Sequence, residues 1–174
     1  SMGFCHFNNA ALAAHTLTKK GKKILIVDHD GHHGNGTQQI FYTRNDLLYQ
    51  SFHLYPHFPG TGEINEIGLG EGCGYTQNAP LSHGNGDQAI KTLLHEIFLP
   101  VAKQFKPDFI IFSTGYDSHH SDLLGGLTCT TNIYPYIIKE YQKIQPKIAC
   151  TLEGGYNLEW IGKCFIAQLG QLMN

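Results

Sequence analysis

The sequence has no Cys-x-x-Cys pair, no long apolar run and almost no net charge, and each lack removes a class of protein. Its five cysteines, Cys5, Cys73, Cys129, Cys150 and Cys164, are odd in number and widely spaced. That pattern suits reduced thiols in an intracellular, cytoplasmic protein better than a disulfide framework. No segment approaches the ~18 apolar residues that a membrane span needs. A formal charge of -2 leaves no electrostatic footprint for direct nucleic-acid binding, so a basic partner must be recognised locally. No basic stretch leads into an apolar one at the start, as a signal peptide would require. Ser1-Met2 reads as an expression scar running straight into Gly3-Phe4-Cys5, so upstream sequence is expected to be missing.

What is present is enough for one domain: 174 residues, 41% of them apolar, can bury a sizeable core. Helix and strand patterns alternate along the chain. Asn8 and Asn9 can cap a helix over 10–20 that Gly21 stops. Ile24-Leu25-Ile26-Val27 is a β-branched run typical of a strand buried on both faces. The spacing predicts a short helix over 37–42, a strand over 47–52, and a long irregular stretch with room for one short strand over 53–84. An amphipathic helix is expected over 87–105, burying Ile90, Leu93, Leu94, Ile97 and Val101. A strand over 109–112, a helix over 134–144, a buried strand over 148–152 and a closing helix over 158–172 complete the chain. Four buried strands separated by helices imply an α/β fold, a parallel β-sheet flanked by helices. In such sheets ligands bind beyond the carboxyl ends of the strands. Polar clusters follow the strands in that manner: Asp28 to His33, Ser51-Phe52-His53, Gly115 to His119, and Glu153-Gly154-Gly155-Tyr156.

Eleven histidines are many for this length, and their placement matters more than their number. Asp30-x-His32, if extended, points a carboxylate and an imidazole to one side, and Asp117 from a neighbouring strand end completes three N/O ligands. Three protein ligands and one open position is the catalytic zinc arrangement; without thiolates the same set accepts Fe²⁺ or Mn²⁺. The alternative, with Asp28 and Asp30 capping a Gly-rich turn and the histidines solvated, fits this cluster equally well. Gly34-Asn35-Gly36 lets the backbone pass close to the site. The second His-Gly-Asn-Gly, at 83–86, lacks the acidic prefix and reads as a turn. The cysteines near these loops read as packing residues, since none has a base beside it. The Gly154-Gly155 turn presents the Tyr156 phenol, a possible oxyanion donor. Phe58, held by Pro59-Gly60, could wall an apolar channel or anchor its loop.

Together, Gly3 to Asn9, Val27 to Gln38, Phe58 to Gly62, Gly115-Tyr116-Asp117 and Leu152 to Asn157 resemble the histone deacetylase family, with its acetylpolyamine and acetoin-utilisation relatives. The resemblance covers essentially the whole chain and implies an arginase/deacetylase-like fold truncated on its N-terminal side, so that residues 1–174 form part of a catalytic domain. It implies Zn²⁺ on Asp30, His32 and Asp117, with Tyr156 stabilising the oxyanion. Asp28 and Asn35 match positions that orient the family's paired catalytic histidines. Phe4 and Phe58 would flank the acetyl-lysine tunnel, Leu124 its mouth, and Gly154 and Gly155 the substrate side of the tyrosine turn. Asp28, Asp30, His32, Ser51 and Phe52 match a K⁺ site, and Phe41, Arg44, Leu47 and Tyr75 a second, weaker monovalent site.

The implied reaction is hydrolysis of an acetyl amide to amine and acetate, with acetylated lysine in protein or peptide as substrate, or an acetylated small amine such as a polyamine. Glu-Gly-Gly-Tyr with Asn35 resembles the class II branch. The apolar Leu124, where polyamine-selective relatives carry acidic or amide side chains, favours acetyl-lysine. The family's tandem histidines lie just upstream of Gly3, so the chain alone is expected to be catalytically impaired. A binuclear manganese ureohydrolase would need Asp-x-His-x-Asp, but Gly34 stands two residues after His32. A non-catalytic, metal-stabilised binder of acetyl groups is the remaining rival.

Overall fold

The parallel sheet rests on short apolar runs that bury both of their faces. In the computed structural model, which describes residues 2–174, the strands are β1 (Ile24–Asp28), β2 (Leu47–Leu54), β3 (Thr76–Leu81), β4 (Phe109–Thr114) and β5 (Ile148–Leu152). All four neighbouring pairs are parallel, in the order β3-β2-β1-β4-β5. The helices are α1 (Asn9–Thr18), α2 (Asn35–Phe41), α3 (Asp87–Leu93), α4 (Leu99–Phe105), α5 (Ile133–Gln142) and α6 (Leu158–Leu172). The expected α/β class and parallel sheet are therefore present, and most bounds lie within about two residues of those expected.

Alternation along the strands divides the core into two layers. Ile24, Ile26, Leu47, Tyr49 and Ile111 face α1, whose Ala10, Ala11 and Ala14 let it lie close to the sheet. Leu25, Val27, Leu48, Phe52, Ile110 and Phe112 face the larger cluster, with Ile90, Leu94, Phe98 and Tyr141 from the helices. At the start of α1, the Asn8 side chain accepts the Ala11 N–H at 2.8 Å. Gly21 leaves the helix at φ +72°, a conformation that favours glycine.

Two expectations need correction. The helix expected over 87–105 is interrupted by a π turn, Leu94–Phe98. Pro100 has no N–H for the Glu96 carbonyl and its ring crowds that carbonyl, so the chain widens just before it. One residue is added to the turn and the apolar stripe is rephased by roughly 100°. Phe98 is buried in place of Ile97, which is 49% exposed, and Leu93 and Val101 are only partly covered. The Gln50 amide donates to the Phe98 carbonyl at 2.9 Å.

The short strand for which 53–84 left room is β3, at one edge of the sheet. The last strand, β5, is not buried: it pairs with β4 alone, and Ala149, Cys150 and Leu152 are exposed. Ser51 to His53 form the carboxyl end of β2, as expected.

The strand order reverses at β1, which has β2 on one side and β4 on the other. The loops leaving the carboxyl ends of β1 and β4 meet there, the Gly31 N–H donating to Asp117 Oδ1 at 2.6 Å. This is the ligand position expected of an open α/β sheet.

Candidate active site

Asp30 and His32 follow β1, and Asp117 follows β4, at that switch point. One ligand atom from each lies within 4.8 Å of the other two. The His32 Nδ1 is 2.8 Å from Asp117 Oδ2 and 3.2 Å from Asp30 Oδ1. Backbone donors lock both carboxylates. Asp117 Oδ1 accepts the Gly31 N–H at 2.6 Å, and Asp30 accepts the His32 N–H at 2.8 Å and the Gly154 N–H at 2.7 Å. Asp28, one pleat below, accepts the Tyr49 hydroxyl at 2.8 Å and the Asp30 N–H at 3.2 Å. The reading in which these residues merely cap a solvated turn fails, because Asp28, His29, Asp30, His33 and Asp117 are all buried.

The electrostatics call for a cation. Burial works against charging His32, but hydrogen bonds to Asp117 and Asp30 outweigh it and carry its pKa up to about 10. Burial and the Asp30 charge raise Asp117. For Asp30 burial is the largest influence and opposes ionisation, yet the His32 contacts prevail and hold it below the ordinary carboxylate value. Burial, then the Asp30 charge, push Asp28 well up. Two buried carboxylates this close require a positive partner, which a bound cation would supply. One nitrogen and two carboxylate oxygens without thiolate are a donor set that fits a divalent ion such as Zn²⁺ or Fe²⁺.

Tyr156 stands over this centre, its ring edge-on to His32 at 6.2 Å between centroids. Desolvation, with the Asp117 and Asp30 charges, pushes its phenol up to about 12. The hydroxyl therefore stays protonated and able to donate at neutral pH. Phe4 meets Tyr156 edge-on at 6.3 Å and Phe58 meets His32 at the same separation; both are more than half exposed. Leu124 is half exposed on the loop after β4. Gly154 lies against the carboxylates: a Cβ there would come 2.4 Å from Asp117 Oδ2. Gly155, at φ +141°, makes the turn into Tyr156.

Other expected residues spread further. Asn35 opens α2 and its amide donates to the Met2 sulfur at 3.3 Å. Ser51 pairs in register with Asp28, next to Phe52. Phe41, Arg44, Leu47 and Tyr75 gather towards the other end of β2, with the Arg44 guanidinium bound to Asp46 and Thr18. Of the cysteines, Cys129 and Cys164 are packed as expected, whereas Cys5 and Cys73 are exposed because their loops lie open to solvent; all five are free thiols.

Two contributors were not anticipated. His57 stacks on His32 at 5.0 Å and donates through Nε2 to the Leu124 carbonyl at 3.2 Å. Its place just before Phe58 was the available signal. Asp122 accepts the Tyr156 N–H at 2.7 Å; an Asp two residues before Leu124 has the spacing of an Asx turn.

Residues 1–172 match the family described as the histone deacetylase domain. The chain belongs to that family. Histone deacetylase 14, chloroplastic, of Arabidopsis thaliana is 46% identical over 165 residues, covering 91% of this chain and 39% of that protein. The solved HDA15 HD domain superposes with a TM-score of 0.96 at 40% identity over 99% of this chain and 50% of that one. An acetylpolyamine aminohydrolase from Burkholderia pseudomallei superposes with a TM-score of 0.93 at 32% identity over 99% of this chain and 51% of that one. The chain thus spans about half, or less, of the length of these deacetylase relatives, and its arginase/deacetylase-type sheet is the one they share. No helix among the described residues is long and apolar enough to cross a membrane.

Proposed function

We propose that the protein containing this chain is a zinc-dependent deacetylase that hydrolyses acetyl-lysine in proteins or peptides to lysine and acetate. The observation that carries the reading is the Asp30, His32 and Asp117 cluster at the sheet's switch point, with the Tyr156 ring edge-on to His32. These three residues would hold the ion, and Fe²⁺ would suit the same set. When bound, the ion supplies Lewis-acid polarisation of the acetyl carbonyl and lowers the pKa of water. Tyr156 keeps its proton and gives a hydrogen bond to the oxygen that becomes negative on attack. Phe4 and Phe58 bracket the acetyl-lysine stem, Leu124 sets the mouth, and Gly154 and Gly155 form the turn that presents the tyrosine.

Asp28 and Asn35 orient the paired histidines that act as base and acid in the intact enzyme. Asp28, Asp30, His32, Ser51 and Phe52 hold K⁺, and Phe41, Arg44, Leu47 and Tyr75 form a weaker monovalent site. The protein works inside the cell on acetylated protein, without binding nucleic acid directly. Likeness to an acetylpolyamine aminohydrolase supports a second substrate class, acetylated small amines; the apolar Leu124 favours acetyl-lysine.

Elemental mass spectrometry on chelator-free protein should find about one zinc per chain, lost in Asp117→Ala. Turnover of an acetyl-lysine peptide by the intact protein should fall by ~10²–10³-fold in Tyr156→Phe with the metal retained. Full turnover in Tyr156→Phe, or metal retained without Asp117, would refute the assignment, and a strong preference for acetylspermidine would move the substrate to the second class.

A further inference from the structure

The Tyr156 turn is fastened to the loop that carries Leu124 by one side chain. Asp122 Oδ2 accepts the Tyr156 N–H at 2.7 Å, while its Oδ1 accepts the N–H groups of Leu124 at 2.8 Å and Gly125 at 3.2 Å. A second tie joins the same segments: the Asn157 amide donates to the Ser121 carbonyl at 2.7 Å, and its oxygen caps α6 at Trp160. At its other end the turn is anchored through Gly154, whose carbonyl accepts the Tyr116 N–H at 2.8 Å. The Tyr156 ring meets His32 and Phe4 edge-on.

We infer that Asp122 is a positioning residue for Tyr156: its carboxylate sets the height of the phenol over the metal-ligand cluster and couples that height to the loop at the substrate mouth. A neutral acceptor would not do the same. Three N–H groups converge on two oxygens, so all the hydrogen-bonding capacity aimed at them must be acceptor, which a carboxylate supplies and an amide does not. Hydrogen bonds to a charged acceptor are also shorter and stiffer than neutral ones. In Asp122→Asn the NH₂ faces either Tyr156 or the Leu124–Gly125 pair, and one of these contacts is lost.

The inference rests on Tyr156 acting as the oxyanion donor, so the test is a double-mutant cycle in the intact protein with an acetyl-lysine peptide. Asp122→Asn should lower kcat about 10- to 100-fold, the scale of a ~1 Å misplacement of a reacting group. In the Tyr156→Phe background the same substitution should change kcat less than about twofold, because no donor remains to be misplaced. Equal losses in both backgrounds would mean that Asp122 merely caps its own loop and would overturn the inference, as would an unchanged kcat in Asp122→Asn. If Tyr156→Phe alone leaves kcat unaltered, the reading of the tyrosine fails first, and that outcome is distinguishable. Amide hydrogen exchange on the unsubstituted protein tests the bond even where Asp122→Asn does not fold. Exchange at Tyr156 slowed at least about 100-fold relative to an unprotected amide is the expected result. Exchange at the unprotected rate would overturn the inference.

Discussion

Replacing Gly154 by alanine tests whether the tyrosine turn and the ligand carboxylates share one closely packed volume. The added Cβ would lie 2.4 Å from Asp117 Oδ2 and 2.6 Å from Asp30 Oδ2, where ordinary contact begins at 3.4 Å. About 1 Å of movement is needed (3.4 − 2.4), and neither carboxylate can give it freely. Asp117 is held by the Gly31 N–H at 2.6 Å and Asp30 by the His32 N–H at 2.8 Å. No left-handed backbone angle is involved at this glycine, so the effect is steric. Overpacking of this kind destabilises by about 1–3 kcal/mol. Displacing the ligands by a comparable distance should weaken zinc binding by at least about tenfold. Urea denaturation with and without zinc, together with competition against a chromophoric chelator, measures both terms. Wild-type zinc affinity in Gly154→Ala would refute the claim that this turn and the ligand cluster are packed as one.

Two further expectations concern stability. His29 is wholly buried among Phe112, Tyr116 and Tyr134, and burial lowers its pKa to about 4. The unfolded chain takes up that proton near pH 6.5 and the folded one only near 4. The His29 contribution is therefore present above pH 6.5 and is lost as pH falls towards 4, about 3 kcal/mol in all. Other groups titrate in both proteins, so the readout is a difference: His29→Phe should gain about that much on wild type between pH 7 and pH 4, and a constant difference would contradict the burial account. Gly162 lies exposed in α6 with nothing within 4 Å of a Cβ, so Gly162→Ala should raise stability by about 0.5–1 kcal/mol. A fall in the denaturation midpoint would count against the helix as described.

How much of this was legible in the sequence differs from residue to residue. Ile24 to Val27 announced a central strand because an apolar run has only one stable home in a parallel sheet. The Asp30, His32 and Asp117 cluster was foreshadowed because polar residues sit where such strands end, but the same residues read equally well as caps of a solvated turn until their burial was seen. β3 was obscure, since Gln77, Asn78 and Pro80 mix polar groups and a missing N–H into a strand. The π turn was encoded by Pro100, but helical periodicity read across it placed Ile97 inside. The exposure of β5 depends on what lies beside it, which local patterning does not carry. Asp122 and His57 act through the backbones of residues distant in sequence, so their identities said little until the loops were seen together.

His32 and Asp117 are 85 residues apart in the chain and 2.8 Å apart in space. Closing a loop of that length costs the unfolded chain about 4 kcal/mol of configurational entropy. An ion gripped by both loops would therefore behave as a long-range staple. Pairing of β1 with β4 already closes that span, however, so ion binding would add to a loop the sheet holds shut, and metal removal should lower the melting temperature while unfolding stays cooperative.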